Sequence, residues 1–338
     1  MLRLVGIAMK RTRRNFLRLG ATAAAFPAFV RFAKAEDWPQ RPVTMVVTYA
    51  AGSANDVLGR ILAAPLSGFL GQQVIIENVG GAGGMNGTAR VAKAAADGYQ
   101  FVLGGMGTFA ANQTLYRKPL YNAATDFAPV ILIDEQPIVL IVRKDFPSDN
   151  LSEFIAYARA NEAKMQYGSA GPGSGSHLAC VLFNATVGFD ATHIPYRASI
   201  MAIQDLIASR IDYTCPLISV ALPLIGSNQV KALAILSKVR SPIMPNLPSA
   251  QEQGLVDFEA YYWDAFFLPK GTPAPIVQKL HDATDATMNI VSVQQRLNDL
   301  GMAIVAPERR SQAYLQTFVD GEIEKWARVI KTAGVSAD

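Results

Sequence analysis

From residue 43 onward the chain repeats one alternation of apolar and polar positions. A β-rich run over 43–49, carrying Val43, Met45, Val46 and Val47, stops at the small-residue stretch Ala50-Ala51-Gly52-Ser53-Ala54-Asn55-Asp56. Beyond it Leu58, Ile61, Leu62, Leu66 and Phe69 fall at helical spacing, so the pattern predicts strand, short loop, helix, with Asn55 or Asp56 as the N-cap. The motif recurs. Strands are predicted over 73–78 and 99–104, joined by a glycine-rich segment and a small helix over 88–96. Apolar runs follow over 130–133 and 138–142, and Asn150 with Glu153 forms a capping box that opens a helix over 151–160. A strand ending at Tyr167 then runs into a Gly/Ser loop over 168–176, and Ser174 or Ser176 caps a helix whose apolar positions are Leu178, Val181, Leu182 and Ala185. Strands ending near Pro195, over 211–216 and over 230–236 alternate with further helices. The aromatic run over 258–267 reads as a strand returning to the first half, and helices over 275–289, 292–300 and 308–332 complete the chain.

Strands alternating with helices predict an α/β protein of two domains, each a mainly parallel sheet flanked by helices. A crossover near Pro137 places residues 36–137 and 256–338 in the first domain and 138–255 in the second, and two crossings make a hinge with a cleft between domains. The strand-to-helix loops are the chemically informative feature. The first amides of a helix lack internal partners and carry the positive end of its dipole, so a carboxylate or phosphate fits there. A capped turn with no ligand explains the same residues, and capping alone explains Asp56.

Residues 1–35 stand outside this pattern. Paired Arg13-Arg14 followed by Asn15-Phe16-Leu17, an apolar run over 19–30 too short to span a bilayer, and Ala33-Lys34-Ala35 read as a twin-arginine export signal with its cleavage site. The whole chain carries a formal charge of +4, yet this leader holds eight Lys or Arg and no acid, so the remainder is net acidic. A nucleic-acid partner thereby loses its main support. Export to the periplasm permits a disulfide. A twin-arginine substrate folds before export in a reducing compartment, however, so Cys180 and Cys215 are expected as buried thiols. The three histidines show no metal-ligand spacing, and no metal or cofactor is expected.

No G-x-S-x-G elbow, Walker lysine or H-E-x-x-H occurs, and Ser174 with His177 caps a helix more naturally than it forms a nucleophile and base. Gly105-Met106-Gly107-Thr108-Phe109-Ala110 fits the dinucleotide pattern G-x-G-x-x-A, which keeps an exported nucleotide-dependent enzyme as the alternative. The segment follows the third strand of its unit, though, and no strand-end acid lies about 20 residues on.

Several short stretches, taken together in order and spacing, resemble the solute receptors of tripartite tricarboxylate transporters, the Bug-type receptors, over nearly the whole chain after the leader. They include Trp38-Pro39-Gln40-Arg41-Pro42, Ala51-Gly52 with Asp56, Gly81-Ala82-Gly83-Gly84, Asp97-Gly98-Tyr99, Asp126-Phe127-Ala128-Pro129, Tyr167-Gly168-Ser169 and His193-Ile194-Pro195-Tyr196-Arg197. The resemblance implies a monomeric periplasmic receptor that closes two α/β domains on a small mono- or dicarboxylate and delivers it to membrane transporter subunits. It implies that Ala51, Gly52, Ser53 and Asp56 grip the ligand from one side and Ser169, Ala170, Gly171, Ser174 and His177 from the other, with Thr108, Tyr196, Arg197 and Asp212 as further site residues. Arg197 either meets a far carboxylate or braces its loop on Asp212. Ser53, Ala198 and Cys180 stand where the family usually has glycine, and a pocket walled by Tyr49, Phe109 and Tyr196 would take an aromatic or an aliphatic acid. A receptor-like domain serving a signalling partner fits the same features.

Overall fold

The computed structural model describes residues 38–337, so the predicted export signal lies outside the described residues. In chain order the first half contains β1 (Val43–Val47), α1 (Ala54–Leu70), β2 (Val74–Asn78), α2 (Met85–Ala92), β3 (Gln100–Gly105), α3 (Asn112–Leu115) and β4 (Phe127–Pro137). The second half follows as β5 (Val139–Arg143), α4 (Leu151–Ala160), β6 (Gln166–Ser169), α5 (Gly175–Val187), β7 (Thr192–Pro195), α6 (Ser199–Ile207), β8 (Tyr213–Thr214), α7 (Ile218–Gly226) and β9 (Val230–Ile235). The chain then returns through β10 (Tyr261–Pro269), α8 (Ala274–Met288), α9 (Val291–Asn298), β11 (Ala303–Ile304) and α10 (Gln312–Ala333).

Two sheets result, a six-stranded one ordered β11-β4-β10-β3-β1-β2 and a five-stranded one ordered β7-β6-β8-β5-β9. Both are mixed, where the sequence predicts mainly parallel sheets. β1 pairs parallel with β2 and β3, and β6 with β7 and β8, while β10, β4 and β11 on one side and β5 with β8 and β9 on the other pair antiparallel. The cause is connectivity: β4 and β10 carry the chain out of and back into the first half, and strands that exit and re-enter a sheet side by side must oppose each other. Their pairing runs to the crossing itself, where Tyr261 faces Pro137. There the Leu236 amide donates to the Ile138 carbonyl at 2.8 Å and the Ala260 amide to the Leu236 carbonyl at 2.8 Å.

The central strands are buried on both faces, which is why 43–47 and 261–269 read as nearly unbroken apolar runs. Phe109 stacks on Phe267 with ring centroids 3.6 Å apart, so it belongs to the core of the first sheet and forms no wall of a ligand pocket. The segment Gly107–Ala111 is a buried π-helical turn against that aromatic cluster, and Gly107 packs on the Gly173 carbonyl. No space for a pyrophosphate remains over the Gly105 to Ala110 stretch, and the dinucleotide pattern is incidental. Cys180 and Cys215 are buried free thiols.

Candidate carboxylate site

Every residue between β1 and α1 has a geometric task. Ser53 is the N-cap, accepting from the Asp56 amide at 3.2 Å, so the cap precedes both sequence candidates, Asn55 and Asp56. Asp56 turns back instead. Its carboxylate accepts from the Gly52 amide (2.9 Å), the Asn78 side chain (3.0 Å) and Arg60 Nε (3.0 Å), which fixes the loop over the end of β1. Burial pushes this acid up, but Arg60, the Gly52 amide and Asn78 outweigh it and hold Asp56 below the usual carboxylate range. Gly52 takes φ of +81°, a value glycine adopts without strain.

The loop between β6 and α5 reaches a similar end by neutral means. Ser174 is the N-cap, accepting from the His177 amide and donating to the Gly171 carbonyl at 2.7 Å. Ser176 Oγ accepts from the Ala170 amide (3.0 Å) and lies 3.4 Å from Ser199 Oγ on α6. Behind the loop, His177 Nδ1 accepts from the Gly173 amide at 3.2 Å, so its proton sits on Nε2. Ser169 Oγ accepts from the Gly171 amide and stands 2.6 Å from His193 Nε2, within hydrogen-bonding distance. The imidazoles pack against each other at a tilt of 35° with centroids 4.3 Å apart, and Tyr167 stacks on His193. Burial holds both neutral, lowering His177 to about 3, with His193 adding to the effect, and His193 to about 4.

The two loops face each other across a cavity of about 30 Å³, lined by Gly52 to Asn55 from the first half and by Ala170, Ser174 to Ser176 and Ala198 to Ile200 from the second. The amides of Ala54 and Asn55 on α1, and of Gly175 and Ser176 on α5, have no hydrogen-bond partner among the described residues. They are the first amides of their helices, so two positive dipole ends meet at one point, with the start of α6 beside them. Tyr49, Leu217, Val220 and Tyr262 close the remaining walls, and no charged side chain lines this cavity.

Of the residues expected from sequence, Gly52, Ser53, Ala170 and Ser174 line the cavity. Ala51, Gly171, Tyr196 and Arg197 line a larger adjoining space of about 1060 Å³ that shares Tyr49 and Ala170 with it and forms its mouth. Tyr196 Oη donates to Asp205 at 2.7 Å, so its ring and not its hydroxyl faces the mouth. Asp56, Ser169 and His177 stand one layer back and shape the loops. Thr108 is buried beside Gly84 and Gly104, bonding the Gly105 backbone, and lines neither space. Asp212 is the clearest displacement. It accepts from the Gln166 amide and from Arg143 at the start of β6, whereas the loop that lines the cavity leaves from the end of that strand. Arg197 therefore does not brace on it; Arg197 is exposed and makes no hydrogen bond or ion pair with a described residue.

Sequence reasoning missed Gly175, Ser199, Leu217, Val220 and Tyr262 as cavity residues. Gly175 and Ser199 were legible as first helical positions, but Leu217 and Val220 reach the site through the packing of α7, and Tyr262 only through the return of the chain on β10. Tyr262 Oη is buried and without a hydrogen-bond partner among the described residues.

Two lobes joined by paired strands, with opposed helix starts over an interlobe cavity, define the architecture of a periplasmic binding protein. The structural neighbours agree. MatC of Rhodopseudomonas palustris, solved with bound malate, is 38% identical, covers 87% of this chain and 100% of its own, and superposes with a TM-score of 0.83. The periplasmic binding protein BugD is 36% identical over 88% of this chain and 99% of its own, with a TM-score of 0.84. A second R. palustris protein, solved with adipate, is 35% identical over 89% and 99%, with a TM-score of 0.84. The model of the tripartite tricarboxylate transporter family receptor matches residues 58–335, and the chain belongs to that family.

Proposed function

We propose that this protein is a periplasmic receptor that captures a small organic mono- or dicarboxylate between its lobes and hands it to the membrane subunits of a tripartite transporter. One observation carries the reading: the unpartnered amides of Ala54 and Asn55 oppose those of Gly175 and Ser176 across a single cavity with no charged lining. A carboxylate there receives hydrogen bonds from both lobes at once, and its charge lies at two dipole ends in a water-poor setting, which favours the closed arrangement. Family membership and the malate and adipate of the neighbours support the ligand class. We assign the grip to Gly52, Ser53, Ala170 and Ser174 with these amides, and a second carboxylate, where the ligand has one, to Arg197 at the mouth. The protein acts as a monomer, without catalysis or cofactor, on domains of residues 36–137 with 256–338 and 138–255, after export by the twin-arginine leader.

Isothermal titration of the purified protein against mono-, di- and tricarboxylates and amino acids tests this. A dicarboxylate or monocarboxylate binder is expected, and absence of any binder in the panel refutes it. Arg197→Ala is expected to weaken dicarboxylates roughly tenfold or more at unchanged melting temperature, in line with loss of a charged hydrogen bond, and to leave monocarboxylates nearly unchanged.

A further inference from the structure

Tyr262 is the one cavity residue whose polar atom has no task in the protein structure described above. It enters from β10, on the return of the chain, and its side chain is 1% exposed. The ring lies on the first residue of α5, where a Cβ added at Gly175 would stand 2.6 Å from its Cδ2; the hydroxyl points toward Gly105 at the end of β3. Its polar neighbours are Tyr49, Asn55 and Asp264. Tyr49 Oη donates to the Gly83 carbonyl at 3.2 Å and the Asn55 side-chain amide donates to Asp264, and neither is aligned to hydrogen-bond the Tyr262 hydroxyl. Phenylalanine would fill the same volume without burying a hydroxyl that lacks a partner, which is costly.

Resting on the carboxylate reading above, we infer that Tyr262 is a specificity-determining residue: its hydroxyl hydrogen-bonds an uncharged oxygen that the ligand carries close to its bound carboxylate. The ligand class is then a 2-hydroxy or 2-oxo acid. The position of the ring fixes the first part, since it touches the residue whose amide opens α5 and so stands beside the carboxylate seat. The lining fixes the second. Around Tyr262 the walls are Leu217, Val220 and small residues with no cation, so a second charged group within the cavity would be desolvated without compensation, whereas a neutral oxygen needs one donor. A site that pairs a buried polar group with a ligand oxygen rejects the analogue lacking that oxygen, because the protein group is then stranded.

The test is titration of two matched pairs, malate with succinate and lactate with propionate, into the parent protein and Tyr262→Phe. In the parent the hydroxylated member of a bound pair is expected to bind at least about tenfold tighter. Tyr262→Phe is expected to bring that ratio close to one by weakening the hydroxylated acid, leaving the plain acid within about twofold. A ratio unchanged by the substitution, or a parent that binds the plain acid equally well, overturns the inference while the carboxylate reading stands. If no carboxylate binds the parent, the carboxylate reading itself fails and this inference with it. Should the variant not fold, the parent ratio decides, a value near one being the refutation.

Discussion

The two loops that face the cavity are held in place by opposite chemistry. The loop before α1 is organised by one ionised side chain, Asp56, which gathers the Gly52 amide, Asn78 and Arg60. The loop before α5 is organised by hydroxyls and two neutral imidazoles, with no acid or base charged. An ionised carboxylate near a site for anions repels the ligand, and Arg60 at i+4 offsets that charge from the solvent side. The second loop needs no such counterweight, but it depends on its histidines staying deprotonated. Space differs as well: nothing lies within 4 Å of a Cβ added at Gly52, whereas one at Gly175 meets the Tyr262 ring.

That contrast can be broken most severely at Gly175. Gly175→Ala drives a methyl into Tyr262, and overpacking of about 1–3 kcal/mol at the seat corresponds to a roughly 5- to 150-fold loss of carboxylate affinity by titration. Gly52→Ala has room and suffers only the strain of a positive φ, so its affinity should fall far less. Next in size is Asp56→Ala, which strands the Gly52 amide and the Asn78 side chain and should cost about 2–3 kcal/mol in urea unfolding.

The pH dependence separates the loops further. His177 and His193 are neutral in the fold down to about 3 and about 4, while in the unfolded chain each takes up a proton below its ordinary 6.5. The unfolded state therefore binds more protons between these limits, and the histidines' contribution to stability is lost as pH falls from about 6.5 toward 4. Asp56, held below its ordinary 3.8, adds its loss only beneath that value. The buried Asp134 and Asp264, both raised by burial, act with the opposite sign across the same interval, but equally in parent and variant. His177→Gln should thus flatten the fall in stability between pH 6.5 and 4 relative to the parent, measured by urea unfolding across pH. The smallest effect is expected from Arg60→Ala, since its side chain is 57% exposed and the i,i+4 pair is screened. A loss below about 0.5 kcal/mol is expected in the same assay, and a larger one would mean that Arg60, and not the backbone, holds Asp56 in place.

Most of the fold is legible in the chain because strand-to-helix loops and period changes are local signals. Ser53, Asn55 and Asp56 lie within four residues, each able to cap, and only the turn set by Gly52 shows that Ser53 does so while Asp56 reaches backward. The mixed sheets were not legible, because strand direction depends on which half the chain re-enters. Asp212 enters as a site residue only through the family resemblance, yet a strand has two ends, and the sequence does not say which one a neighbouring strand presents. Tyr262 is hidden for the same kind of reason, being one aromatic among several in an apolar run, with its role set by residues 49–55 and 175.

The tie between Ile138, Leu236 and Ala260 at the crossing carries a mechanical consequence. A single connecting strand would let the halves pivot in any direction, whereas two bonded abreast stiffen the join against sliding and leave one easy swing, like a book on its spine. Sideways drift of one loop past the other is then suppressed, and the amides of Ala54 and Asn55 stay in line with those of Gly175 and Ser176.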